Sequence, residues 1–67
     1  MHEIHVTVVS AEEAAYGTAE FWSGGRQIGF TYLEDGDLVL RIDTPVVVGA
    51  QGLANAIAEA NRLLSLY

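Results

Sequence analysis

Few residues in this chain are equipped for chemistry. It holds nine carboxylates, three arginines and two histidines, with no cysteine and no lysine. His2, Glu3 and His5 form the one cluster of metal-ligand type near an end of the chain. On a strand, residues three apart point to opposite faces, so the two imidazoles cannot share an ion. They read as surface histidines of an edge strand. Glu34, Asp35 and Asp37 crowd a short loop that a hard cation could approach. Calcium loops, however, draw about six or more oxygens from a longer scaffold closed by a bidentate glutamate. These acids read instead as solvated turn formers. Gly24-Gly25-Arg26 with Gly29 would cradle a phosphate only if a strand ran into a helix there. The flanking segments are both strand-like. Ser10, Ser23 and Ser65 fall in a cap, a turn and a helix end, with no histidine placed to act as their base. No titratable pair converges for acid–base work. The expectation is a protein that is not an enzyme, with no catalytic residues, no metal and no cofactor.

Size and charge narrow the partners. The chain has 67 residues and a formal charge of -6, so a single domain over 1–67 is expected. Such a charge repels phosphate backbones and anionic lipid, which argues against direct nucleic-acid contact and against membrane binding. No apolar run reaches the roughly 18 residues of a membrane span, and no signal peptide is visible. Half the residues are hydrophobic (51%), enough for a packed core and too many for a disordered chain. A core this small is marginal, and without disulfide or metal it lacks a staple.

The elements follow from periodicity. Ile4, Val6 and Val8 alternate with polar residues, the mark of a strand with one buried face. Ser10-Ala11-Glu12-Glu13 is a capping box, predicting one or two helical turns over Ala11 to Tyr16 that end at Gly17. Thr18 to Ser23 is strand-like, and Gly24-Gly25 is a two-residue hairpin turn. That turn pairs Ser23 with Arg26, Phe21 with Ile28 and Ala19 with Phe30. At the next hairpin a two-residue Asp35-Gly36 turn would place Phe30 opposite Arg41 and turn Leu38, Leu40 and Ile42 away from the core. A three-residue loop, Glu34-Asp35-Gly36, keeps Leu38, Leu40 and Ile42 inward against Tyr32, Phe30 and Ile28. Thr44-Pro45 ends that strand. From about Gln51 to Leu66 the pattern is helical, with Leu53, Ala56, Ile57, Ala60, Leu63, Leu64 and Tyr67 on one stripe and Glu59 paired with Arg62 opposite. The fold class predicted is α+β: a four-stranded, mainly antiparallel sheet in β-β-β-β-α order, with a short helical turn after strand 1 and one C-terminal helix on one face. The pattern leaves open whether strand 1 pairs with strand 2 or at the other edge. The central core expected is Phe21, Ile28, Phe30, Leu40, Ile57, Ala60 and Leu64.

The sheet face away from the helix is the feature with functional content. The register above sets Glu20, Trp22, Gln27, Gly29, Thr31, Leu33, Val39 and Arg41 there, joined by His5, Thr7 and Val9. A solvated face is normally more polar than this. Contiguous apolar surface containing a tryptophan marks a partner site. The candidate partner-binding residues are Trp22, Leu33, Val39, Glu20, Arg41 and Val9, with Glu20 and Arg41 forming an ion pair across Gly29. The sheet-then-helix order with a Gly-Asp hairpin is similar, in architecture alone, to small partner-binding folds of bacterial toxin–antitoxin systems. That resemblance assigns no residues. The lysine-free, alanine- and arginine-using composition suggests a bacterial or phage source, and a cytoplasmic location is expected. The leading expectation is a small acidic protein–protein interaction module, homodimeric or bound to another protein. The alternatives are an acidic inhibitor that blocks a nucleic-acid-binding protein and a small-molecule-binding domain with a pocket between sheet and helix.

Overall fold

The structure is a computed structural model that describes residues 3–67. Its elements run β1 (Ile4–Thr7), α1 (Ala11–Ala15), β2 (Glu20–Ser23), β3 (Arg26–Glu34), β4 (Asp37–Ile42) and α2 (Ala50–Leu64). The four strands form one antiparallel sheet in the order β1-β2-β3-β4, so β1 pairs with β2. α2 packs on one face of that sheet, chiefly against β1. No helix among the described residues is long and apolar enough to cross a membrane.

Local chemistry accounts for the connections. Ser10 is the N-cap of α1 and its hydroxyl accepts from the Glu13 amide at 3.2 Å. The Glu13 carboxylate returns to the Val9 amide at 3.4 Å, one residue earlier than a standard capping box would place it. Gly24 and Gly25 both have positive φ, as a type I′ hairpin requires, and Ser23 faces Arg26 as expected. The β3–β4 connection departs from expectation. Glu34 pairs with Asp37, so the loop has two residues, Asp35 (φ 51°) and Gly36 (φ 84°), and is again of type I′. Leu38, Leu40 and Ile42 nevertheless face inward, opposite Leu33, Thr31 and Gly29.

A bulge reconciles these facts. Trp22 pairs with Gln27 but Phe21 pairs with Gly29, which leaves Ile28 as an extra residue in β3. One inserted residue reverses the alternation of everything beyond it. Ile28 and Gly29 are both buried in succession, after which Thr31 and Leu33 face α2 while Phe30 and Tyr32 face away. Gly29 permits the close approach: a Cβ there would lie 2.3 Å from the Arg41 carbonyl oxygen. Phe30 leaves the predicted core, and Gly29, Thr31 and Leu33 leave the predicted outer face.

The core consists of Ala19, Phe21, Ile28, Ala56 and Ala60, with Ile4, Val6, Val8, Leu40, Val48, Leu53 and Leu64 packed around it. Alanines at 56 and 60 let α2 lie close over Phe21 and Ile28, the largest fully buried side chains. Ile57 is not part of this core. It sits on the flank of α2 at 40% exposure, because the helix covers the β1 side of the sheet and leaves the β4 side open. Thr31 is buried and its hydroxyl is fully used, accepting from the Ala19 amide at 2.9 Å and donating to the Gly17 carbonyl at 2.7 Å. This residue ties the chain leaving α1 to the middle of β3.

Candidate functional site

Alternation through the bulge assembles the face opposite α2. Its cross-strand row through the centre is Thr7, Glu20, Phe30 and Arg41, one residue from each strand. On one side of this row His5 lies opposite Trp22, which in turn faces Gln27. On the other, Tyr32 lies opposite Val39. Trp22, Phe30, Tyr32 and Val39 are each half-buried, and none has a helix over it. The rings of Phe30 and Tyr32 stand 5.9 Å apart, tilted by 43°, within the range of a favourable aromatic pair.

Polar groups on this face serve the aromatics. The Trp22 indole N–H donates to Glu20 Oε1 at 3.2 Å, and the Tyr32 hydroxyl donates to Glu34 Oε2 at 3.3 Å. Glu20 therefore holds the indole, whereas an ion pair with Arg41 had been expected. Phe30, not Gly29, stands between the two charges. Among the described residues the ion pair is Glu59–Arg62 on the exposed side of α2. There the Arg62 guanidinium, by hydrogen bond first, holds the Glu59 carboxyl below its usual range, and Glu59 raises Arg62 in return.

Four of the six residues expected at the partner site share this face: Glu20, Trp22, Val39 and Arg41. Leu33 is on the α2 side, opposite Leu38, because the bulge reverses its orientation. Val9 is exposed beyond the end of β1 and belongs to the lead-in to α1. Phe30 and Tyr32 are the members that the sequence reading missed. Gly29 carried the signal, since an isolated glycine inside a strand marks a bulge or a close backbone approach.

Elsewhere the chemistry is sparse. His5 is exposed, and His2 lies outside the described residues. No group of three or more His, Asp or Glu among the described residues is placed to hold a metal ion. The acids are dispersed: Glu12 and Glu13 on α1, Glu34, Asp35 and Asp37 at the β3–β4 turn, and Asp43 after β4. A groove of about 590 Å³ runs between β1 and α2, lined by residues including Glu3, His5, Asn55 and Glu59. A second, of about 290 Å³, lies between α2 and β4 over Thr31, Leu38, Leu40, Ile57 and Ala60. No family model, curated protein or solved structure matches this chain.

Proposed function

We propose that this chain is a non-enzymatic protein–protein interaction module that works as a homodimer and presents its uncovered sheet face to a protein partner. One observation carries the reading: Trp22, Phe30, Tyr32 and Val39 share one face of the sheet that no helix covers, with Phe30 beside Tyr32 and Tyr32 opposite Val39. Aromatic groups at the centre with charges at the margin are the usual composition of a recognition patch. Arg41, on the outer strand β4, supplies such a charge and tunes specificity more than affinity, while Glu20 holds the indole within the face. Most of the acids fall in α1, in the β3–β4 turn and after β4, a spread that supports a mixed recognition face over the continuous carboxylate surface of an inhibitor of a nucleic-acid-binding protein. Of the two grooves beside α2, the larger is an open furrow with exposed Glu3, His5 and Asn55 on its walls and the smaller holds only about 290 Å³, which together favour a packing surface over an enclosed small-molecule pocket.

The test compares the parent with Trp22→Ala and Tyr32→Ala as baits in affinity capture, with Glu59→Gln as a surface control. A protein retained by the parent and by the control, and released by both aromatic variants at unchanged circular dichroism, supports the reading. Equal capture by all four baits removes the outer face from the function.

A further inference from the structure

We infer that two copies of this chain join along β4, antiparallel about a two-fold axis at Val39, to make one continuous eight-stranded sheet. This inference deepens the homodimer reading by naming the surface, and it leaves the outer face free for another protein.

β4 is an outer strand of the sheet, and among the described residues nothing pairs with its far side. The Asp43 amide donates to the Ile28 carbonyl at 3.2 Å, so odd-numbered residues turn their backbone groups toward β3. Alternation then leaves the N–H and C=O of Leu38 and Leu40 directed at the open edge. Two-fold pairing about Val39 matches these groups. Leu38 stands opposite the partner's Leu40, and Leu40 opposite the partner's Leu38, both as hydrogen-bonded pairs. Val39 meets the partner's Val39 as a non-hydrogen-bonded pair.

Charge selects this register over its neighbours. Asp37 and Arg41 sit two residues either side of Val39 and on the same face, so each meets its opposite across the axis. Asp37 faces the partner's Arg41, and Arg41 the partner's Asp37. Centring on Leu40 would instead oppose Asp37 to the partner's Asp43. Centring on Leu38 would run each strand into the partner's Asp35-Gly36 turn, which has positive φ and cannot continue a ladder. A shift by one residue would set apolar against outer-face positions. Charged edge residues ordinarily keep sheets apart. Here their spacing repels a generic strand and accepts a copy of itself, as a self-complementary two-fold contact requires. The apolar side fits as well. The groove over Leu38, Leu40 and Ile57 opens at this edge, so pairing extends its floor with the partner's Leu38 and Leu40.

Three measurements test the inference on the full chain. First, solution mass across a dilution series should show a dimer that dissociates on dilution; a strict monomer overturns the proposal. Second, Asp37→Arg and Arg41→Asp should each weaken the dimer by about tenfold or more, and the double exchange should restore it to near the parental constant. Singles without effect, or a double that stays weak while folded by circular dichroism, overturn the register. Third, the chain has no cysteine, so Val39→Cys introduces a unique thiol. Across the axis its Cα atoms would stand about 4.5 Å apart, within disulfide reach, and mild oxidation should yield a covalent dimer. Glu20→Cys, two strands inward, should form no covalent dimer under the same oxidation. If Glu20→Cys crosslinks, or Trp22→Ala dissociates the dimer while the charge exchanges do nothing, the copies meet through the outer face. The edge inference then fails, and the outer face remains an interaction surface.

Discussion

Thr31 gives the sharpest test of the bulged register, because the two possible orientations predict opposite signs. Exchanging Thr31 for valine replaces a hydroxyl with a methyl of similar size and leaves no cavity. Were the side chain on the outer face, valine's preference for strands would make the change neutral or slightly stabilising. The structure instead buries Thr31 at 3% exposure and gives its hydroxyl two buried partners, the Ala19 amide and the Gly17 carbonyl. Valine orphans both. Each buried group left unpaired costs about 1–3 kcal/mol, so Thr31→Val should lose about 2–4 kcal/mol after local relaxation. A chain of this length has about 3–10 kcal/mol in all. Thr31→Ser keeps the hydroxyl and gives up one methyl, a loss of about 1 kcal/mol. Urea unfolding followed by circular dichroism, at one fixed chain concentration because the proposed association would add stability, measures the series. With a slope of about 1 kcal/mol/M, valine should lower the midpoint by about 2 M or more, and serine by about 1 M. A valine variant as stable as the parent, or a serine variant worse than valine, would refute the inward placement of Thr31 and the bulge with it.

Two further outcomes rest on the same geometry. Phe21→Ala should cost about 3–5 kcal/mol and leave the chain at the margin of folding, whereas Phe30→Ala on the outer face should cost about 1 kcal/mol; equal losses in urea titrations would return Phe30 to the core. Gly29→Ala should lose about 2 kcal/mol or more by thermal melting, since its Cβ would meet the Arg41 carbonyl and the Ile42 Cα, both backbone that only a strand separation can move.

The elements legible in the sequence were those fixed by near neighbours. The capping residue Ser10, the paired glycines at 24 and 25, and the alternating Leu38, Leu40 and Ile42 each carry their geometry within a few positions. β3 was misread because two local signals conflict in a regular strand. Asp35-Gly36 asks for a two-residue turn, and the inward leucines of β4 forbid it unless β3 changes parity. The bulge at Ile28 satisfies both, and its position depends on how Gly29 lies against β4, a contact no short window contains. The candidate site inherited the same error. Trp22, Glu20, Val39 and Arg41 lie on the outer face as expected because β2 before the bulge and β4 beyond the turn keep their alternation. Leu33, Phe30 and Tyr32 lie on the reversed stretch. Ile57 was overcounted because an apolar stripe at helical spacing says nothing about where on a sheet the helix comes to rest.

The docking of α2 on β1 has a kinetic consequence. Each strand pairs with its neighbour in sequence, so the sheet grows through short-range closures, and hairpins of this kind form in about 1–10 μs. The first strand and the last helix meet only when the whole intervening chain has been gathered, which makes that contact the most entropically demanding in the molecule. It is therefore expected late on the folding route. Substitutions in the β2–β3 hairpin should slow folding, while those at Ala56 or Ala60 should chiefly hasten unfolding. The lifetime of the native state then resides in the latch between its two ends, and the rate of reaching that state resides in the middle of the sheet.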